Sequence, residues 1–344
     1  MNRRSFARLV GLSAAGIVAN ARAVTRPAAA RIIKPRRLEE GDTVGLVLPA
    51  SNTMQADSIA FAREQLEAIG FEVRTGRHVY DRHGYFAGTD RDRAADVTRM
   101  FADREIDGIF AYTGGWGTPR ILPLLDYDLI ARNPKVLIGF SDITALLNAI
   151  HQRTGLVTFH GPFAGSTLNP YSVDHFRRVV MDDEPAGLLE PPDKRPNELV
   201  DRVNRILRLA PGKATGRLAG GNLTLLAATM GTPYEIDTTG AILFLEDVDE
   251  AVYRIDRMLT QLALAGKFDR AAGVVFGRCS NCDSSRSAFS LEDILRDRFG
   301  SLPIPAISGL SFGHIENKLT LPIGVQATLD ADAGTLSIDE AAVV

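Results

Sequence analysis

"KVLIGFSDITALLNAIHQRTGLVTFHGP" (135–162) decides the fold, because it reads as strand, helix, strand. Val136 to Phe140 is an apolar run of strand length, and Ile143, Leu146, Leu147 and Ile150 recur at helical spacing on one face before Gly155 stops the helix. A second apolar run, "LVTFH", follows at once. Two buried strands joined by a helix form a parallel crossover unit. Ser141 and Asp142 stand at the sharp corner between the first strand and the helix. A serine there either caps the helix, the commoner use, or is held clear of the sheet as a nucleophile beside backbone N–H groups. The hydrolase elbow G-x-S-x-G is absent, since Asp142 and Ile143 follow the serine.

Upstream the alternation continues. "DTVGLVLPAS" (42–51) is a buried strand. "ADSIAFAREQLEAIG" (56–70) is a helix with Ile59, Leu66 and Ile69 inward, and "FEVRTG" and "IDGIFAY" are further strands. The pattern predicts an α/β fold whose N-terminal domain, 41–165, is a parallel sheet with helices on both sides, flavodoxin-like or amidotransferase-like. From 166 to 213 the pattern loosens, with "EPPDKRPNE" rich in proline and charge, and reads as an inter-domain connection. Beyond it, "AILFLED", "AAGVVFG" and "PAISGL" are strands, "AVYRIDRMLTQLALAG" is an amphipathic helix, and "IGVQATLDADAGTLSID" is a closing hairpin turning at Asp332 to Gly334. A smaller, mixed α/β C-terminal domain, 214–340, is expected.

The chain has 344 residues, 45% hydrophobic and 24% charged, with a formal net charge of −3. That is an ordinary soluble composition, with no basic surface for nucleic acid and no integral membrane span. A small-molecule or peptide ligand is favoured. Residues 1–23 stand apart: Arg3 and Arg4, a mildly apolar run from Leu9 to Ala19, and Ala21-Arg22-Ala23 make a twin-arginine export signal, cleaved after Ala23, for a periplasmic enzyme. Residues 24–40 read as a tether. The two cysteines, Cys279 and Cys282, lie in "GRCSNCDSS", where export permits a disulfide; a structural or incidental pair suits this polar loop better than a zinc or redox site.

Three polar residues share a position at or just beyond the carboxyl end of a strand: Ser141 after "VLIGF", Glu246 after "AILFL" and His314 after "AISGLSFG". Open α/β sheets build their sites at that edge. A serine–histidine–glutamate set is therefore topologically available, with His314 as general base and Glu246 orienting its imidazole. Each residue also has a plain role: Glu246 opens an acidic run before a helix, and His314 is a loop histidine. Of the other five histidines, His78, His83, His151, His160 and His175, position alone leaves His160 in "TFHGP" level with His314. Gly114, Gly115 and Gly117 in "AYTGGWGTPRILPLLD" follow a strand and permit close backbone approach to a ligand, fitting an oxyanion hole beside Ser141 better than a phosphate loop. Trp116, the only tryptophan, is either a wall for substrate or a packing residue.

"YFAGTDRDRAADV", "TGGWGTPRIL", "GFSDITALL", "FHGP", "AGGNLTLL", "GTPYEID", "LFLEDVDE", "YRIDRMLTQL" and "GLSFGH" together resemble the LD-carboxypeptidases, and the related microcin C immunity peptidases. The LD-carboxypeptidases are serine peptidases, needing no metal or cofactor, that remove the terminal D-alanine from murein tetrapeptides. The resemblance runs in order from about Gly41 to Leu336. It implies Ser141 as nucleophile, Glu246 and His314 as its partners in preference to His160, and backbone N–H groups of Asp142 and the Gly114-Gly115 segment, chiefly Gly115, as oxyanion donors. It further implies a substrate contact at Asn222 and a homodimer acting on a peptidoglycan stem peptide or muropeptide. Thr113 and Trp116 depart from the arginine and tyrosine that often flank the family's glycine pair, and the export signal departs from its cytoplasmic recycling enzymes. Two other readings stand beside this one: an acyl-sulfamate hydrolase of the immunity kind, and a non-catalytic murein-binding protein.

Overall fold

The computed structural model describes residues 31–194, 199–201, 203–282 and 289–344. The expected export signal, the first part of the tether and the end of "EPPDKRPNE" lie outside the described residues. The first half of the chain alternates β1 (Thr43–Val47), α1 (Ala56–Ile69), β2 (Glu72–Thr75), α2 (Asp90–Ala102), β3 (Gly108–Ala111), α3 (Thr118–Ile121), α4 (Tyr127–Arg132), β4 (Val136–Gly139), α5 (Thr144–Thr154) and β5 (Thr158–His160). Five parallel strands in the order β5-β4-β3-β1-β2 follow from that alternation. Strands β3 and β4 are buried along their whole length, as continuous apolar runs in a parallel sheet must be.

The expected connection from 166 to 213 holds structure that its loose pattern concealed. It contains α6 (Pro170–Val180), β6 (Gly187–Leu188) and β7 (Leu207–Ala210). Asn169 caps α6 by accepting from the Ser172 N–H at 2.9 Å, and Pro170 fits the first turn, where no N–H is needed. Phe176 on α6 packs edge-on against Phe71 and tilted against Phe110. The tether stretch is likewise docked from Arg31 on, with Leu38 buried and Ile33 bridged to Leu156.

Eight strands make the second sheet, ordered β6-β14-β13-β8-β9-β10-β11-β7. Its centre is β8 (Lys213–Asn222), β9 (Ala241–Val248), β10 (Gly273–Ser280) and β11 (Ala306–Ser308), all parallel, and the hairpin β13 (Gln326–Asp330) and β14 (Thr335–Ile338) turns where expected. Covering helices are α7 (Leu223–Ala228), α8 (Val252–Leu264), α9 (Lys267–Arg270) and α10 (Leu291–Phe299). Strand β8 was not anticipated: "KATGRLAGGN" is poor in β-branched and aromatic residues, and pairing with β9 and β13 imposes its extension.

One strand crosses between the sheets. After β11 the chain leaves the second sheet, and β12 (Leu321–Ile323) pairs antiparallel with β5 of the first. Residues 309–320 span that crossing, and His314 lies within it. No helix among the described residues is long and apolar enough to cross a membrane.

Candidate active site

Ser141 follows β4 directly. Phe140 is extended, the chain reverses into a short 3-10 turn at Ser141–Ile143, and Ser141 itself has φ +57°. A side chain rarely tolerates that conformation, and its presence here is strain held by the surrounding fold. Ser141 makes no capping hydrogen bond, so the local alternative of a helix cap does not describe it. Asp142 takes the neighbouring polar role. Its buried carboxylate accepts from the Thr118 N–H at 2.7 Å and from the Thr118 hydroxyl, tying the serine turn to the glycine segment. Burial raises the Asp142 pKa, and the Thr118 bonds oppose the rise.

The glycine segment lies against the serine. A Cβ on Gly114 would come within 2.9 Å of Ser141 Cβ, and Gly115, at φ +101°, would place one 2.1 Å from Ser51 Oγ. Only glycine fits at both positions. Ser51, in the loop four residues beyond β1, accepts from the Trp116 N–H at 3.1 Å and donates its own N–H to the Gly114 carbonyl at 3.3 Å. Nothing among the described residues accepts from the Gly115 N–H, which leaves it free for a ligand. Ser51 was overlooked in the sequence, although the strand-end rule that singled out Ser141 applies to it equally. Trp116 is 68% exposed and meets Tyr85 edge-on at 6.2 Å, which rules out a core-packing role and leaves an aromatic face beside the glycines.

The second sheet brings Glu246 and the crossing segment brings His314. Their side chains meet at 2.8 Å between Oε2 and Nδ1, with Glu246 fully buried. Gly313, at φ +111°, has no room for a Cβ, which would lie 2.9 Å from that same Oε2. The His314 carbonyl accepts from Ser280 Oγ at 2.6 Å, and Ser280 sits inside the Cys279–Cys282 disulfide. The His314 ring packs against Phe140, 4.8 Å between centroids, so the histidine adjoins the residue that precedes Ser141.

Asn222, expected to contact substrate, is buried at the end of β8. It caps α7 by accepting from the Leu225 N–H, and its amide donates to Asp247 at 3.1 Å. Asp247 accepts from Thr224 as well, and burial pushes its pKa up to about 6. These bonds fix the end of β8 beside the strand that carries Glu246.

His160 lies close to the pair but is enclosed by Phe140, Phe244 and Phe312, and neither ring nitrogen has a hydrogen-bond partner. Burial pulls its pKa down to about 4. A neutral histidine sealed among phenylalanines has no access to a substrate proton. His78 pairs with Asp81, His151 with the Leu156 carbonyl, and His175 packs on Tyr171. The unfolded chain takes up the His160 proton near pH 6.5, so between pH 6.5 and 4 it binds more protons than the folded chain. Stability carried by the neutral ring falls by about 3 kcal/mol across that window. His160→Phe is expected to flatten this part of the acid limb. Urea midpoints measured from pH 7 to pH 4 should fall less steeply for the variant than for the parent protein.

Two family models cover most of the described chain: the LD-carboxypeptidase N-terminal domain matches residues 44–161 and the LD-carboxypeptidase C-terminal domain residues 215–329. The chain is 39% identical over 313 residues to the "Probable murein peptide carboxypeptidase" of Bacillus subtilis, covering 89% of this chain and 94% of that protein. It is 34% identical over 296 residues to the murein tetrapeptide carboxypeptidase of Pseudomonas aeruginosa, covering 84% and 93%. Among solved structures, the microcin C7 self-immunity protein in its apo state superposes with a TM-score of 0.83 at 28% identity, over 91% of this chain and all of that one. The muramoyltetrapeptide carboxypeptidase from Oxalobacter formigenes superposes with a TM-score of 0.74 at 29% identity, over 87% and 99%.

Proposed function

Because the chain belongs to the LD-carboxypeptidase family, we propose that it is a serine carboxypeptidase that releases the terminal D-alanine from murein tetrapeptides or muropeptides. The observation that carries this reading is the pairing of partly exposed His314 with buried Glu246, beside a conformationally strained Ser141. Ser141 Oγ attacks the carbonyl carbon that precedes D-alanine, and His314 Nε2 takes the hydroxyl proton. The negative oxygen that forms is received by the N–H groups of Gly115 and Asp142. His314 returns the proton to the leaving amine, D-alanine departs, and water enters by the same steps in reverse to free Ser141 from its ester. Glu246 holds the Nδ1–H throughout and balances the imidazolium.

The substrate class rests on the names of the murein carboxypeptidase relatives. A second reading has its own observation: exposed Trp116 offers a stacking face, and a solved relative at TM-score 0.79 holds aspartyl sulfamoyl adenosine. The deciding experiment incubates the purified protein with a murein tetrapeptide and with an aminoacyl sulfamoyl nucleotide. Loss of one D-alanine from the tetrapeptide by mass spectrometry is expected. Turnover of the nucleotide alone would install the second reading, and turnover of neither, with Ser141 unlabelled by a fluorophosphonate, would leave a murein-binding protein.

Export by the twin-arginine route places this reaction in the periplasm, where it meets stem peptides or their fragments outside the cytosol. Protein from a periplasmic fraction is expected to begin near Val24. Protein retaining Met1 and confined to the cytosol would return the enzyme to a recycling role.

A further inference from the structure

Three lysines are buried: Lys135, Lys267 and Lys318. An ammonium taken out of water demands acceptors or an acid. Lys135 donates to the carbonyls of Met100 and Asp103, and Lys267 donates to the Ile236 carbonyl and pairs with Glu235 at 2.5 Å. Arg93, a buried guanidinium behind the glycine segment, is similarly held by the carbonyls of Pro49 and Gly117 and by Asp90. Lys318 differs. It is 8% exposed, yet among the described residues its ammonium has neither a hydrogen bond nor an ion pair. Its one close partner is the face of Phe140, 5.6 Å from Nζ to the ring centroid.

Phe140 is the ring on which the site is assembled: Ser141 follows it in sequence and His314 packs 4.8 Å from it. Lys318 reaches it from the crossing segment, four residues beyond His314, where the backbone is fixed by the bond from its N–H to Ser172 Oγ at 2.9 Å. A cation thus lies against the ring that precedes Ser141, with no carboxylate in hydrogen-bond contact among the described residues. Burial lowers its pKa, with Glu316 the charged neighbour that opposes the fall.

We propose that Lys318 is the anchor for the substrate's terminal carboxylate. The inference rests on the carboxypeptidase reading and adds the group that makes the enzyme act on chain ends. In a peptide cut one residue from its end, the carboxylate lies about one residue's length, ~3.8 Å, from the carbon that Ser141 attacks. A dedicated cation must then sit beside the nucleophile, and Lys318 supplies it. The side chain is buried while the ammonium has no protein hydrogen bond, so a substrate carboxylate can take the place of its solvent, which gives selectivity for an anionic terminus.

The test compares a tetrapeptide ending in D-alanine with the same peptide ending in D-alaninamide, using the full protein and following D-alanine or D-alaninamide release. The parent enzyme is expected to favour the acid by roughly 10- to 100-fold in kcat/KM. Lys318→Met should erase that preference by raising KM for the acid while leaving the amide and the rate of fluorophosphonate labelling at Ser141 unchanged, and Lys318→Arg should recover part of the preference. A parent enzyme that treats acid and amide alike overturns the inference without any variant. So does an equal loss on both peptides in Lys318→Met, or a preference lost in Arg278→Met instead, Arg278 being a half-buried guanidinium whose charged neighbour is Asp201. In each of these outcomes the carboxypeptidase reading survives. A parent enzyme that cleaves neither peptide removes that reading and the anchor with it.

Discussion

Ser141→Ala is expected to lower D-alanine release by roughly 10⁴- to 10⁶-fold while the protein stays folded, because the proposed covalent step has no other nucleophile. Release from a purified tetrapeptide, measured beside a thermal melt, checks both halves. A companion variant separates nucleophile from scaffold. Ser141 sits at φ +57°, a conformation that costs a non-glycine residue about 1–2 kcal/mol. Ser141→Gly is therefore expected to be as inactive as the alanine variant but more stable than the parent, by about 1 kcal/mol. Stability rising as activity vanishes marks a residue kept in place for chemistry. An active Ser141→Ala enzyme would overturn the proposed mechanism outright.

Glu246→Gln should be nearly as damaging, with a loss of about 10⁴-fold in kcat and little change in KM. The substitution keeps the shape of a fully buried side chain that lies 2.8 Å from His314 Nδ1. It removes the charge that balances the imidazolium, and its amide can present an N–H to the ring, which selects the tautomer unable to accept the serine proton. Steady-state kinetics on the tetrapeptide would show the split. A rise in KM with unchanged kcat would instead place Glu246 in substrate binding and return the search for the base's partner to the other carboxylates, Asp247 being the nearest in sequence.

How much of this was legible in advance depends on the range of the interactions involved. The β-α alternation from Thr43 to His160 could be read directly because parallel strands buried on both faces need unbroken apolar runs, and their covering helices need one apolar stripe. Those are local patterns. Strand β8, with "LAGGN" at its end, escaped because its extension is imposed by β9 and β13. Helix α6 escaped although its Asn169 cap and Pro170 were in view, since its apolar face is short and sits in a polar stretch.

The site divides along the same line. Ser141, Glu246 and His314 were identifiable as polar residues at strand ends, and family resemblance chose His314 over His160. By itself the sequence determined the residue types, their order and the βα units that deliver Ser141 and Glu246 to sheet edges. Only the tertiary structure decided that His160 is sealed among phenylalanines, that Asn222 caps a helix and holds Asp247, and that Lys318 stands beside Phe140 with no hydrogen bond or ion pair to its ammonium among the described residues. The physical reason is that burial and pairing belong to neighbours far away in sequence. Here they depend on one crossing segment, from β11 in the second sheet to β12 in the first, which carries His314 and Lys318 to Phe140, the residue before Ser141.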